Sequence, residues 1–114
     1  MKKKKVLLLL FVFAMAMTMT ANAVAQAVQA RCTLTFSGAT ATCRSTITGV
    51  GTIDATMELW YGGTLIDSWS DTGSNRLTLT GSHSVVSGQT YTLTVNGTVD
   101  GIAFNEASIS KTCP

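Results

Sequence analysis

Apolar and polar residues alternate most regularly over residues 87–99. In an extended chain, one side would carry the apolar residues Tyr91, Leu93, Val95 and Val99. The other side would carry Thr92, Thr94 and Thr98. Because successive side chains of a strand point to opposite faces, this pattern predicts a strand with one buried face and one solvated face. Ser87-Gly88 marks a turn just before it. Tyr91 is therefore a candidate tyrosine corner, in which the ring packs in the core and the hydroxyl bonds to nearby backbone.

The same two-residue period predicts further short strands along the chain. Their ranges are 32–36, 39–47, 53–61, a segment after residue 63, 76–86 and 102–112. Two-residue turns are predicted at Ser37-Gly38, Gly62-Gly63 and Asp100-Gly101. The segment 49–51 is predicted to separate two strands, and residues 71–75 are predicted to form a polar loop. A change of apolar phase near Asn105 indicates one extra residue, a β-bulge.

About seven short strands at this spacing, with no helical apolar period, predict an all-β fold. An immunoglobulin-like or fibronectin-III-like β-sandwich fits the number and spacing of the strands.

The N-terminus has the features of a secretory signal peptide. Lys2 to Lys5 precede an apolar run over residues 6–17 that is short for a membrane span. Small residues predict cleavage after Ala23 or Ala27, so that residues 1–27 form the leader and residues 28–114 the β-sandwich domain. We therefore expect a secreted, extracellular protein that has no membrane segment after cleavage. A retained membrane anchor is the alternative.

Removal of the leader reverses the sign of the formal charge. The whole chain is formally +2, but residues 28–114 contain four basic and six acidic side chains, which leaves −2. The sequence therefore indicates no basic patch for nucleic acid or anionic lipid.

The three cysteines raise the question of a disulfide. A two-residue turn at Ser37-Gly38 would place Cys32 directly opposite Cys43, within the range that a disulfide spans. Exported proteins are commonly oxidised, so this bond is predicted. Cys113 would remain as a free thiol near a mobile end or would link a dimer. A Cys32–Cys113 bond is the alternative pairing.

Two tryptophans offer a candidate binding surface. The turn at Gly62-Gly63 would pair Trp60 with Leu65 and place Trp69 opposite Thr56. Trp60, Leu65 and Trp69 would then share one face, and exposed aromatic rings are favoured at interfaces. The alternative is that Trp69 lies in the core and Trp60 is a single exposed ring.

Catalytic and metal signals are weak. His83 is the only histidine, and no nucleophile-elbow motif accompanies it. Asp67, Asp71 and Asn75 could offer oxygen ligands to calcium, but they lack EF-hand spacing. We therefore expect no catalytic residues, no cofactor and no metal site.

Several short motifs together resemble a group of small secreted proteins. They are Gly38-x-x-Ala41-x-Cys43, the strand 53–59, Ile66-Asp67-Ser68-Trp69 and Gly88-x-x-Tyr91. The chain is similar in these to single-domain proteins of Gram-positive bacteria that are expected to be β-sandwiches and mostly have no assigned function. The resemblance implies a fold and export, and it supplies no active site.

The sequence thus favours a secreted, non-catalytic binding module for an unknown extracellular protein or glycan. The alternative is a secreted effector of bacteriocin-like or toxin-like kind. We expect no nucleic-acid partner, and either a monomer or a Cys113-linked dimer.

Overall fold

The computed structural model describes residues 28–114, which form an antiparallel, all-β sheet of six strands. In chain order the strands are β1 (Gln29–Ser37), β2 (Thr40–Tyr61), β3 (Thr64–Ser84), β4 (Thr90–Val99), β5 (Ile102–Ala103) and β6 (Ala107–Thr112). The predicted signal peptide, residues 1–27, lies outside the described residues.

The sheet is organised around β2. Residues 40–48 of β2 pair with β1, and residues 53–61 pair with β4 on the same edge. On the other edge, β3 pairs with both parts of β2. Residues 49–51 lie opposite the single residue Asn75, whose Oδ1 accepts a hydrogen bond from the Gly51 amide at 2.9 Å. The predicted break is therefore a bulge inside a continuous strand. The loop predicted over 71–75 is wrong, because residues 71–74 continue to pair with β2.

This bulge divides the sheet into two half-sheets. The first half-sheet consists of β1, residues 40–48 and residues 76–84. The second consists of residues 53–61, residues 64–74 and strands β4, β5 and β6. Their buried side chains join one hydrophobic core, and β1 contacts β4 and β6, although it pairs with neither. Cys32 Sγ, for example, lies 3.6 Å from the carbonyl oxygen of Ala107. The buried faces of the half-sheets therefore contact each other.

Two of the predicted turns are confirmed. Gly62 and Gly63 have φ of 58° and 80°, and they connect Tyr61 to its partner Thr64. Asp100 and Gly101 have φ of 50° and 80° and connect β4 to β5. Positive φ at both central residues is the conformation that suits the twist of a two-residue hairpin, and glycine adopts it without steric cost.

The turn between β1 and β2 differs from the prediction. Ser37 pairs with Thr40, so the two turn residues are Gly38 and Ala39. Gly38 has φ of 60° and stands first in the turn, as type II′ requires. The predicted Ser37-Gly38 turn would have forced positive φ on a serine, which has a Cβ that disfavours it. Every pairing between β1 and β2 is displaced accordingly.

The phase change in the last part of the chain is confirmed as one extra residue. Thr98 pairs with Ala103 in β5, whereas Val95 pairs with Ala107 in β6. The three residues between β5 and β6 leave the ladder, and the Phe104 amide bonds to the Gly97 carbonyl at 3.1 Å. This places both Phe104 and the apolar residues of β6 against the core.

The tyrosine corner is also confirmed. The Tyr91 ring is 4% exposed, and its hydroxyl accepts a hydrogen bond from the Val86 amide at 2.9 Å. Leu93, Val95 and Val99 are buried with it on the same face of β4. The Tyr61 ring packs against it with centroids 5.4 Å apart. The alternation over residues 87–99 therefore predicted the buried face of β4 correctly. On the face predicted to be solvated, Thr94 is only 8% exposed and accepts a hydrogen bond from Trp60.

Candidate binding surface around Trp60

Trp60 lies on the exposed face of the second half-sheet. In the ladder it stands between Leu65 of β3 and Thr92 of β4. Its indole Nε1 donates a hydrogen bond to Thr94 Oγ1 at 3.1 Å, so the side chain reaches across onto β4. Because its one polar group already has a partner, the half-buried ring is held in place and has no donor left to satisfy. A ring fixed in this way can offer its remaining surface to a ligand.

A shallow depression of about 370 Å³ surrounds this ring. Its lining consists of Glu58, Trp60, Gly63, Thr92, Thr94, Asn96 and Glu106. Asn96 Nδ2 donates to Glu58 Oε1 at 3.1 Å, which orients both groups beside the indole. The depression therefore combines an aromatic surface with carboxylate, amide and hydroxyl groups. Such a lining suits a ligand that has both an apolar face and many hydrogen-bonding groups.

Two of the lining residues could not be located from the sequence. Alternation along β4 already indicated that Thr92 and Thr94 share the solvated face with Trp60. Glu106, in contrast, reaches the depression only because the chain leaves the ladder between β5 and β6. Asn96 is placed opposite Thr56 by the β2–β4 register, which the sequence does not state.

The predicted pairing of Trp60 with Leu65 is confirmed, and Leu65 is 44% exposed. The predicted position of Trp69 is wrong. The register shifts after Trp60, so that Leu59 pairs with Asp67 and Ile66 is an extra residue. Because one extra residue moves every later side chain to the other face, Trp69 pairs with Met57 rather than Thr56. The structure thus separates Trp69 from the face that carries Trp60 and Leu65.

Trp69 instead packs between the half-sheets. A methyl group added at Gly81 of the first half-sheet would overlap the Trp69 indole, so the ring lies directly on the glycine backbone. Trp69 is partly buried and belongs to the rim of the hydrophobic core. This agrees with the alternative reading of Trp69 as a core residue.

His83 lies close to the carboxylate of Asp67. Its Nδ1 is 3.0 Å from Asp67 Oδ2, and the two side chains are 32% and 34% exposed. Asp71 instead accepts a hydrogen bond from the Thr72 amide, and Asn75 accepts one from Gly51. The three oxygen-bearing residues considered for calcium therefore bond to different partners. Within residues 28–114, no group of three or more His, Cys, Asp or Glu side chains is arranged to hold a metal ion.

The cysteine geometry differs from the prediction. Cys32 pairs with Ser45, and Cys43 pairs with Leu34, so the two cysteines are diagonal rather than opposed. Diagonal Cα atoms lie about 7–8 Å apart, beyond the usual range of a disulfide. All three cysteines are free thiols in the structure. The geometric basis for the predicted Cys32–Cys43 bond is therefore wrong.

Burial also suppresses the reactivity of Cys43 and Cys32 as nucleophiles. Cys43 is fully buried, and desolvation, with smaller repulsion from Asp67 and Cys32, raises its pKa to about 11. Desolvation likewise raises the pKa of Cys32, although the hydroxyl of Ser45 donates to its sulfur at 3.5 Å. A thiol that stays protonated is a poor nucleophile and a poor metal ligand.

Cys113 is held in the fold, contrary to the expectation of a mobile end. It is 1% exposed, its amide donates to the Gln89 carbonyl, and its carbonyl accepts from Gly88. A dimer linked through Cys113 would require this residue to detach from Gly88 and Gln89, just before β4.

Comparison with known proteins adds no family. No family model matches the chain, and no curated protein matches it. The described part of the chain has no helix with the length and apolar character of a membrane span.

Proposed function

We propose that the protein is a secreted, non-catalytic binding module that contacts an extracellular glycan through the depression around Trp60. The observation that carries the proposal is the Trp60 indole, which Thr94 holds at the edge of a depression lined by hydrogen-bonding groups. Sugar rings combine an apolar face with dense hydroxyl groups, so an aromatic surface beside carboxylate and amide groups complements them. Export follows from the charged and apolar pattern of residues 1–27.

The fold that belongs to this proposal is an immunoglobulin-like or fibronectin-III-like β-sandwich. Three observations support it. β2 exchanges its neighbour β1 for β4 at the bulge over residues 49–51. The half-sheets bury their facing side chains in a common core, and Tyr91 forms the corner that is typical of such sandwiches. In a sandwich the Trp60 side of the second half-sheet faces outward, where a ligand can reach it.

A non-catalytic role agrees with the chemistry of the described residues. The hydrogen-bonded pair of His83 and Asp67 lies outside the depression around Trp60. The two carboxylates of the depression are Glu58, which already accepts from Asn96, and the exposed Glu106. We assign both to ligand contacts.

A glycan array probed with the secreted protein and with its Trp60→Ala variant tests the proposal. We expect the wild type to bind a subset of glycans and the variant to lose at least about tenfold in affinity, because aromatic anchors dominate such contacts. The free energy of unfolding should fall by only about 1–2 kcal/mol, because Trp60 is half buried and its indole gives up one hydrogen bond, to Thr94. Val50→Ala, which shortens an 89% exposed apolar side chain at the bulge and lies outside both depressions, is the matched control and should bind normally.

Two results would contradict the proposal. One is that the wild type binds no glycan on the array. The other is that Trp60→Ala loses several kcal/mol of stability, as a core tryptophan would. That result would mean that the ring serves packing rather than recognition.

A further inference from the structure

Three arginines that are distant in sequence lie together on the exposed face of the first half-sheet. Arg44 of β2 stands opposite Thr33 and Thr80, Arg31 of β1 opposite Thr46, and Arg76 of β3 opposite Thr48. Partners in an antiparallel ladder point to the same face, so all three guanidinium groups project from this one surface. The three arginines occupy three successive rows of the sheet. We call this exposed surface of the first half-sheet the arginine face.

The arginine face carries no acidic residue. Its remaining positions are Gln29, Thr33, Thr35, Ser37, Thr40, Thr42, Thr46, Thr48, Thr78, Thr80, Ser82 and Ser84. Within residues 28–114, none of the three arginines makes an ion pair or donates a hydrogen bond to a protein acceptor. Three exposed guanidinium groups among hydroxyl groups are therefore available to an external anion.

Two of these arginines flank a depression of about 290 Å³. Its lining consists of Gln29, Arg31, Thr46, Thr48 and Arg76. Thr46 and Thr48 are half buried in the central strand, whereas Arg31 and Arg76 are exposed on the strands to either side. Strands lie about 4.8 Å apart, and residues two positions apart along a strand are about 6.8 Å apart. The two arginines are two strands and one row apart, so they stand roughly 12 Å from each other, and both can lean toward an anion above β2. A guanidinium group binds carboxylate, sulfate or phosphate with two parallel hydrogen bonds.

We propose that the arginine face binds an anionic glycan, whose acidic groups pair with Arg31, Arg44 and Arg76 and whose hydroxyl groups bond to the surrounding threonines. A nucleic acid is less suitable, because single strands are held by aromatic stacking and this face has no aromatic side chain. A lipid surface is less suitable, because the face presents no apolar side chain for insertion. This site is separate from the depression around Trp60, which lies on the second half-sheet.

Titration calorimetry of the secreted protein at low salt tests the site. The probes are heparin, which carries sulfate and carboxylate groups, polygalacturonate, which carries carboxylates alone, dextran as a neutral glycan, and single-stranded DNA as an anionic polymer that is not a glycan. We expect binding of heparin or polygalacturonate that weakens with added salt, because released counterions drive it. Dextran should not bind. Tighter binding of polygalacturonate would identify carboxylate as the preferred group, whereas tighter binding of heparin would show that sulfate groups add to the affinity.

Charge-matched variants locate the contact. Arg31→Gln and Arg76→Gln should each lower affinity about tenfold, which corresponds to one lost charge-assisted pair. Lys111→Gln removes the same charge from β6, away from the arginine face, and should leave affinity unchanged. Trp60→Ala should also leave it unchanged, which separates this site from the proposed function. All four residues are at least partly exposed, so circular dichroism should show the same fold in each variant.

Three results would overturn the inference. The first is that neither anionic glycan binds at low salt. The second is that Lys111→Gln weakens binding as much as Arg31→Gln, which would indicate general charge attraction. The third is that single-stranded DNA binds as tightly as the better glycan, which would replace glycan recognition by indiscriminate binding of polyanions.

Discussion

Replacement of Tyr91 by phenylalanine isolates the energetic contribution of one hydrogen bond in the corner. The ring is 4% exposed and packs against Tyr61 and Phe36, with centroids 5.4 and 6.2 Å away, and phenylalanine keeps these contacts. The substitution removes only the hydroxyl that accepts from the Val86 amide at 2.9 Å. The change in stability should therefore report the loss of that bond rather than the loss of packing.

The magnitude follows from the exposure of the group that loses its partner. A net hydrogen bond contributes about 0.5–1.5 kcal/mol, and a buried donor left unsatisfied costs about 1–3 kcal/mol. The Val86 side chain is 61% exposed, so water can approach its amide in part, and we expect a loss of about 1–2 kcal/mol. In a domain of this size, 1 kcal/mol corresponds to about 4–8 °C in Tm.

Tyr61→Phe is the matched control, because the chemical change is the same in an exposed setting. Tyr61 is 40% exposed, and its hydroxyl bonds to the Gln89 side chain at the surface. We expect a change within about 0.5 kcal/mol. Urea unfolding followed by circular dichroism measures both variants at an unchanged m-value. Equal losses in the two variants would refute the reasoning, because burial of the bond would then have no effect.

Three further predictions follow from packing and from the thiols. Gly81→Ala should destabilise by about 1–3 kcal/mol through overlap with Trp69, and the same change in a Trp69→Ala background should cost much less in urea unfolding. Iodoacetamide should modify Cys32 of the native protein before the buried Cys43 and Cys113, and it should modify all three cysteines after denaturation. Modification of fewer than three cysteines in the denatured protein would reveal a disulfide. With the thiols reduced, the contribution of Cys43 to the free energy of unfolding should be complete below pH 9.0 and decrease toward about pH 11, because folding raises the pKa of this thiol. The Cys43→Ala variant should lack this decrease.

The local pattern predicted those features that depend on few neighbouring residues. Two-residue alternation assigned the side chains of β4 to its two faces correctly, because the pleat of a strand dictates them, although Thr94 on the outer face is buried. Gly62-Gly63 and Asp100-Gly101 were recognisable as turns because few residues tolerate positive φ. The position of Tyr91 just after Ser87-Gly88 indicated the tyrosine corner, which likewise depends on residues that are close in sequence.

Features that depend on the register between strands could not be predicted from the local pattern of residues. The turn at Gly38 was misplaced by one residue, and this was enough to replace Cys43 by Ser45 as the partner of Cys32. The bulge at Ile66 depends on how β3 packs against β2, and it moved Trp69 to the buried face. Trp60 and Leu65 therefore lie on the candidate surface as predicted, whereas Trp69 does not.

The sequence by itself determined the strand-forming character of the chain, its principal turns and the alternation of buried and solvated side chains. Tertiary structure alone decided which exposed residues become neighbours. Arg31, Arg44 and Arg76 stand on three different strands, and no periodicity links them, yet the pairing of β1, β2 and β3 places them on one face. The physical reason is that alternation is a property of each strand, whereas register is set by contacts between strands, and a shift of one residue reverses the face of every side chain that follows.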